Sequence, residues 1–262
     1  MKAPGYFLTV DGPGGVGKST TVTAITHRLR EAGHTVHPTT EPSGSALGIA
    51  TRRLAQEVRG TALALLVAAD RHHHLDTEIR PHLAAGHTVV CDRYLASSLV
   101  LQRLDGVPAE FIRAINTGIT LPDLAVVLTA PAPTITRRLH TRGSHHRFED
   151  DPDNVTRELD LYEQAITTLQ DMAIPVLRLD TDTITPASVA AAIVHATGIT
   201  SARVTPDHVP PPEQRTWTPP PQSSTYTSSS ATETRSSCPN AAAPTGMADG
   251  TPPPANSTPG RH

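Results

Sequence analysis

A glycine-rich segment near the start of the chain has residue types and a spacing that can hold phosphate groups. Gly12 to Ser19, GPGGVGKS, fits the pattern G-x-x-x-x-G-K-[ST]. In such a P-loop, backbone N–H groups and a helix N-terminus face the phosphates, the lysine reaches the β- and γ-phosphates, and the serine hydroxyl ligates Mg²⁺. The predicted nucleotide-binding residues are Gly12, Pro13, Gly14, Gly15, Val16, Gly17, Lys18, Ser19 and Thr20.

The flanking residues have the patterns that a P-loop requires. Residues 6–10 read as a short apolar strand, and residues 20–30 read as a helix with Val22, Ile25 and Leu29 at helical spacing. The chain otherwise uses arginine for its positive charges and has only two lysines, Lys2 and Lys18. Lysine at this position suits a site that needs a compact point charge.

Other charged residues follow predicted strands or lie in a basic segment. Asp92 ends an apolar run, where its carboxylate can hold Mg²⁺ beside Ser19; a helix cap is the alternative. Arg71 and Arg93 can clamp a second phosphate, with surface ion pairing as the alternative. Arg142 and Arg147 can neutralise a phosphoryl group during transfer, and a solvated basic loop is the alternative.

Short apolar segments alternate with amphipathic ones over residues 1–200, which predicts an α/β fold of the P-loop NTPase type. Its parallel sheet is expected to have helices on both faces and ligands at the carboxyl ends of the strands. Strands are predicted at 6–10, 34–39, 87–91, 124–129 and 174–179, and helices at 20–30, 46–58, 61–84, 95–102, 109–117, 134–141, 155–172 and 187–196. The histidines of RHHHL at 71–75 point in different directions on a helix, so we expect a solvated face there and no metal site.

Composition changes near residue 200 and separates the predicted domain, residues 1–200, from residues 201–262. The second segment holds 13 of the 25 prolines and is rich in Ser and Thr, which predicts a disordered tail. We therefore expect a chain ending at Gly198 to keep its stability. The net charge of −3 and the lack of a basic run argue against binding to double-stranded nucleic acid. No apolar run can span a bilayer, and two distant cysteines suggest no disulfide framework, so we expect a cytoplasmic protein.

Four segments after the P-loop resemble, in order and approximate spacing, the motifs of the thymidylate kinase family. They are TTEPSGSALG at 39–48, LLVAADR at 65–71, VVCDRYLASSLVLQ at 89–102 and RLHTRGSHHRFE at 138–149. The resemblance covers residues 5–199. It implies an enzyme that transfers the γ-phosphate of ATP, with Mg²⁺, to dTMP, and that forms a homodimer through packed helices.

The resemblance also implies which residues act. Lys18, Asp92, Arg93 and the lid residues Arg142 and Arg147 are expected to be catalytic, and Ser19 and Asp92 to serve the metal. Substrate contacts are implied for Glu41, Pro42, Val67, Arg71, Arg93, Ser98, Leu101, Gln102 and Tyr162, the last flanking the base.

Four positions depart from the family pattern. Gly14 replaces an acid that holds the sugar, Val67 replaces the phenylalanine that stacks on thymine, and Leu101 replaces a tyrosine near the sugar. The Gly14–Gly15 pair also lacks the P-loop arginine of some members, so this chain resembles those that use lid arginines, although His146 stands where the lid has Asp. A weaker base pocket predicts tolerance of other pyrimidines.

Three alternatives to a dTMP kinase remain at this stage. The chain could phosphorylate another or modified pyrimidine nucleotide, such as a dUMP-like one. A deoxynucleoside kinase is less favoured, because a nucleoside lacks the phosphate that Arg71 and Arg93 would clamp. A nucleotide-binding regulator without activity is the third, and an intact Lys18 and Asp92 argue against it.

Overall fold

The computed structural model describes residues 5–142 and 153–199, except for the side chains of Arg142 and Asp153. Its centre is a five-stranded, fully parallel sheet with the strand order β2-β3-β1-β4-β5. The strands are β1 (Tyr6–Asp11), β2 (Val36–Thr40), β3 (Thr88–Asp92), β4 (Leu124–Thr129) and β5 (Val176–Asp180). The predicted α/β fold is thereby confirmed.

Nine α-helices connect and cover these strands within the described residues. They are α1 (Lys18–Glu31), α2 (Ala46–Leu54), α3 (Gly60–His74), α4 (Arg80–Ala84), α5 (Leu95–Leu104), α6 (Ala109–Ile115), α7 (Ala132–Arg142), α8 (Asp153–Asp171) and α9 (Pro186–Thr197). Helix α1 packs against α9, and α5 packs against α3 and α8.

Strand residues alternate between two apolar cores, one on each face of the sheet. Phe7, Val89 and Cys91 belong to the core that α5 and α8 complete, whereas Leu8 and Val90 belong to the core beneath α1 and α9. Burial on both faces explains why these strands read as continuous apolar runs. The result is a rigid sheet whose carboxyl ends all lie at one edge.

The helix predicted at 61–84 is interrupted in the structure. A single π-helical turn, Leu75–Ile79, separates α3 from α4. Leu75 and Ile79 are both buried, at the spacing of four residues that an uninterrupted α-helix would also give. The extra residue of the π turn therefore barely changes the apolar pattern of the sequence. The helix predicted at 46–58 also ends earlier, at Leu54.

The prediction of a solvated RHHHL face is wrong. Arg71, His74 and Leu75 are buried, and His73 is exposed. Asp70, Arg71 and His74 have the i, i+1, i+4 spacing of one helix face, and this face of α3 turns inward.

The tail at 201–262 lies outside the described residues, so the domain boundary near residue 200 stays a prediction. Among the residues that are described, none of the helices combines the length and the apolar character needed to cross a membrane.

Candidate active site

The P-loop runs from the end of β1 to the start of α1 and needs glycine at two positions. Gly12 has a φ of 145°, and a Cβ there would lie 2.5 Å from the carbonyl oxygen of Leu128. Gly17, the residue before α1, has a φ of 99°. Side chains strain both conformations, so glycine allows the chain to turn from the strand directly into the helix.

Lys18 is the first residue of α1 and is buried against the loop. Its Nζ donates to the carbonyl oxygens of Gly12, at 2.8 Å, and Pro13, at 2.7 Å. Burial and the charge of Arg93 lower the pKa of Lys18 to about 7, although Asp92 and other acids oppose this shift. An anionic ligand in the loop would restore the charged form.

Ser19 and Asp92 meet where α1 begins and β3 ends. In the parallel register Val10 of β1 pairs with Asp92, which brings the carboxylate beside the P-loop. Ser19 Oγ donates to Asp92 Oδ2 at 2.6 Å, and Asp92 Oδ1 is buried without a hydrogen-bond partner in the described part of the chain. Two hard oxygen donors, one of them unsatisfied, fit a small divalent cation that takes its other ligands from phosphates and water.

No group of three or more His, Cys, Asp or Glu side chains within 5–142 and 153–199 could hold a metal ion. A Mg²⁺ at Ser19 and Asp92 would therefore depend on the nucleotide for much of its coordination.

Arg93 follows Asp92 and has a φ of 70°, so the backbone leaves the strand at this residue, and its side chain lines the cleft. Its backbone N–H donates to the carbonyl oxygen of Val10 at 2.9 Å. Its Nη1 is buried and has no hydrogen-bond partner in the described ranges. A buried cationic donor with unused hydrogen bonds beside the P-loop can bind a phosphate.

Arg71 differs from Arg93, because its guanidinium nitrogens already donate to acceptors of the protein. Its Nε donates to Glu41 Oε2 at 2.8 Å, and its Nη1 donates to Asn116 Oδ1 at 2.7 Å. Nη2 donates to Ser98 Oγ at 2.8 Å and to the carbonyl oxygen of Tyr94 at 3.1 Å. Its predicted phosphate contact stays a prediction. The geometry makes Arg71 a fixed wall of the pocket.

These residues line one cleft of about 850 Å³ along the carboxyl edge of the sheet. The P-loop end holds Lys18 and Ser19, and Asp92 and Arg93 lie in the middle. The far end is bounded by Leu63 and by several of the predicted substrate contacts. Those contacts are Glu41, Pro42, Val67, Arg71, Ser98, Leu101 and Gln102. The cleft thus has a charged half at the P-loop and a second half, named the apolar half here, in which Leu63, Val67 and Leu101 supply aliphatic surface beside the Glu41–Arg71 pair.

In the apolar half, Gln102 offers an unused hydrogen-bond acceptor. Gln102 is buried, and its Oε1 has no partner in the described portion of the chain. Val67 and Leu101 are half-buried and face the same space. A flat heterocycle with an N–H group would fit between these aliphatic side chains and the amide.

Tyr162 is buried and is not among the side chains that line the cleft, and its predicted position beside the base stays a prediction. Its hydroxyl donates to the carbonyl oxygen of Gly12 at 2.8 Å, and its ring packs in the core with α5. Helix α8 places this side chain beneath the P-loop. Tyr162 therefore supports the loop.

Sequence reasoning missed two residues that shape the site. Asp11 ends β1, and its Oδ1 accepts from the backbone N–H groups of Tyr94 and Ser97, both at 2.9 Å. Arg138 of α7 lines the cleft and donates to the carbonyl oxygen of Thr181 at 2.9 Å. An acid directly before the P-loop glycine was the available signal for Asp11; Arg138 had none beyond its place in the basic segment.

The lid arginines cannot be placed in the cleft. Arg147 lies outside the described residues, and the side chain of Arg142, the last residue of α7, is not described. Their predicted role stays a prediction.

Comparison with known proteins identifies close relatives. The sequence profile of the family described as thymidylate kinase matches residues 10–176. A probable thymidylate kinase of Caldivirga maquilingensis is 40% identical over 160 residues, which are 60% of this chain and 78% of the relative. The thymidylate kinase of Methylococcus capsulatus is 41% identical over 154 residues, which are 56% of this chain and 74% of the relative. The thymidylate kinase of Caulobacter vibrioides is 38% identical over 156 residues, which are 55% of this chain and 74% of the relative.

Proposed function

Since the chain belongs to the thymidylate kinase family, we infer that it transfers the γ-phosphate of ATP to dTMP, giving dTDP. The observation that carries this inference is the single cleft in which Lys18, the Ser19–Asp92 pair and Arg93 lie beside an apolar pocket. Phosphoryl transfer needs positioned reactants and positive charge more than covalent chemistry, and this cleft supplies both.

We assign the donor side to the P-loop. Lys18 would leave the carbonyl oxygens of Gly12 and Pro13 and bind the β- and γ-phosphates of ATP. Ser19 and Asp92 would hold Mg²⁺, which neutralises phosphate charge when bound. The unsatisfied Oδ1 of Asp92 supports this assignment.

We assign the acceptor side to Arg93 and the apolar half of the cleft. The free Nη1 of Arg93 supports a contact with the acceptor phosphate. Gln102, with its unused Oε1, and Ser98 would contact the base edge, and Val67 and Leu101 would enclose the ring. Arg71 would act from the wall, through the pocket geometry that its four hydrogen bonds maintain.

The remaining assignments rest on the family pattern. Arg142 and Arg147 would supply lid charge during transfer, because Gly14 and Gly15 leave the P-loop without an arginine. We also propose a homodimer, which the exposed Ile49 of α2 and Leu65 of α3 support, and a cytoplasmic location. Residues 201–262 are proposed to be a disordered tail outside the enzyme domain.

A panel of acceptors tests the function directly. With ATP and Mg²⁺, we expect kcat/KM for dTMP to exceed that for thymidine by a large factor, because thymidine has no phosphate for Arg93. The Asp92→Asn variant serves as the control, since it should fold yet need far more Mg²⁺ for the same rate. A higher kcat/KM for thymidine than for dTMP would overturn the assignment.

Other pyrimidine nucleoside monophosphates are a second candidate class of acceptor, which the side chains around the base position favour. Val67 and Leu101 surround the base position with aliphatic side chains where the family pattern has aromatic ones. Apolar pockets discriminate a methyl-sized difference by roughly 10–200-fold at most. We therefore expect dUMP and other 5-substituted pyrimidine monophosphates to be accepted unusually well. Transfer to none of the pyrimidine monophosphates would favour the inactive regulator.

A further inference from the structure

Behind the acceptor pocket, a buried histidine lies between two carboxylates. His74, on the inner face of α3, is fully buried, and its Nδ1 lies 3.4 Å from Glu41 Oε1. Its Nε2 lies 2.8 Å from Thr39 Oγ1 and 3.5 Å from Glu78 Oε2. Glu41 also accepts the 2.8 Å hydrogen bond from Arg71 Nε, so one carboxylate joins His74 to the wall of the pocket.

The hydrogen-bond directions in this cluster require both ring nitrogens of His74 to carry a proton. Thr39 donates its only hydroxyl hydrogen to Glu78 Oε1, at 2.6 Å, so its oxygen must accept from His74 Nε2. Nδ1 faces a carboxylate, which only accepts. His74 is therefore an imidazolium in this arrangement.

We propose that His74 is a positioning residue of the acceptor site, which holds Glu41 in the orientation that fixes Arg71 against Ser98 and Asn116. Nothing in the reaction requires His74 to touch the substrate. Its effect passes through Glu41, whose Oε1 faces His74 while its Oε2 accepts from Arg71. The inference rests on the proposed function, because the proposed function is what assigns the acceptor nucleotide to this pocket.

The charged groups around His74 come from three elements. Glu41 follows β2, Glu78 belongs to the π turn, and Asp70 lies on α3 itself, one residue before Arg71. Burial lowers the pKa of His74, but its hydrogen bond to Glu41 and the three carboxylate charges outweigh burial, so the pKa is raised above its ordinary value. Arg71, the like charge of the cluster, is neutralised by sharing Glu41.

This charge gives the inference a pH signature. Because the folded pKa of His74 is raised, the imidazolium persists at pH values below the raised pKa and is lost as the pH climbs through it. Neutral His74 can donate from only one nitrogen, so either Glu41 or Thr39 loses its partner. We expect the KM for dTMP to rise across that interval and the KM for ATP to stay constant.

The test compares His74→Gln with His73→Gln, an exposed neighbour on the same helix. We expect His74→Gln to raise the KM for dTMP by about five- to tenfold, the effect of losing one hydrogen bond of ordinary strength, and to abolish its pH dependence. The kcat and the KM for ATP should stay within about twofold of the wild-type values. His73→Gln should match the wild type in every parameter.

A second variant keeps the histidine and changes only its surroundings. Glu78→Gln removes one of the carboxylates that favour the imidazolium, while its amide oxygen still accepts from Thr39. The rise in the KM for dTMP should then shift to lower pH. This shift would support the positioning role even if His74→Gln did not fold.

Two results would overturn the inference. The first is an unchanged KM for dTMP and an unchanged pH profile in His74→Gln, together with no pH shift in Glu78→Gln. The second is a His74→Gln variant in which the KM for dTMP and the KM for ATP rise, and kcat falls, by the same factor. Equilibrium binding of dTMP without ATP separates this failure from failure of the function. A wild-type protein that neither binds nor phosphorylates dTMP would remove the function. If the wild type does both and His74→Gln binds equally well, only the inference falls.

Discussion

Two buried arginines in one cleft show how partners decide what a residue can do. Arg71 donates to four protein acceptors, whereas Arg93 has a nitrogen without a partner in the described ranges. Sequence alone assigns both to a phosphate, since both are guanidinium groups in family motifs. An arginine that is already neutralised by Glu41 shapes a pocket, and a partly unsatisfied arginine is ready for an anion.

Lys18 gives the first prediction at the residue scale. Lys18→Met keeps much of the stem's volume and removes the charge, so we expect phosphoryl transfer to fall by on the order of 10² or more. Because Lys18 is buried and donates to two loop carbonyls, we also expect a modest fall in melting temperature. Arg28→Met, on the exposed side of the same helix, is the control. Turnover within a few fold of wild type would remove Lys18 from the mechanism.

Val67 gives the second prediction. Val67→Phe places a ring where the cleft has a short aliphatic side chain, and stacking on a base contributes roughly 1–3 kcal/mol. We expect a lower KM for dTMP. Thr61→Phe, which adds a ring at an exposed position of the same helix, controls for general effects of aromatic substitution. Steady-state kinetics measure both, and a higher KM in Val67→Phe alone would mean that neighbouring side chains already fill the space.

At the scale of elements, the N-terminus of α5 is capped by Asp11, a residue of strand β1. Tyr94, the residue before α5, makes no side-chain capping bond, and Asp11 of β1 accepts from the N–H groups of Tyr94 and Ser97 instead. One carboxylate therefore joins the end of β1 to the helix that carries Ser98 and Gln102. The link fixes the distance between the P-loop and the base pocket.

Removal of this cap gives the third prediction. Asp11→Ala leaves buried N–H groups without acceptors, so we expect the free energy of unfolding to fall by about 2–3 kcal/mol. Burial raises the pKa of Asp11, which means that its charge is costly in this position. Asp11→Asn retains an acceptor oxygen and should recover much of the loss. Chemical denaturation measures both, and equal stabilities for the alanine variant and the wild type would contradict the capping role.

The order of elements could be predicted from the sequence, because β1, β3 and β4 are apolar runs and the helices between them have their own periodicity. The candidate cleft followed from strand ends, since Asp92 and the P-loop must share the carboxyl edge of a parallel sheet. The π turn at Leu75–Ile79 could not be predicted, because one extra residue barely changes an apolar pattern. Contacts between distant segments, such as His74 with Glu41 or Tyr162 with Gly12, depend on packing that local patterns do not encode.

At the scale of the whole molecule, the parallel sheet gathers the site from segments far apart in sequence. The P-loop, the segment after β2, α3 and the β3–α5 junction all reach the same edge. Both faces of the central strands β1, β3 and β4 are buried, which holds this edge in place while side chains in the cleft retain unused hydrogen bonds. Stability and binding are thus supplied by different parts of the fold.

The last prediction concerns where the folded domain ends. Composition suggests that a chain ending at Gly198 is sufficient, but Ile199 is buried in the core beneath α1 and α9, and its N–H donates to Thr197 Oγ1 at 3.1 Å. Burying a side chain of this size contributes roughly 1.5–3 kcal/mol. A chain ending at Thr200 should therefore keep the melting temperature and the kcat of the full chain, and a chain ending at Gly198 should melt at a lower temperature. Equal melting temperatures for the two shortened chains would show that Ile199 contributes nothing, and a loss of kcat in both would show that residues 201–262 contribute to the enzyme.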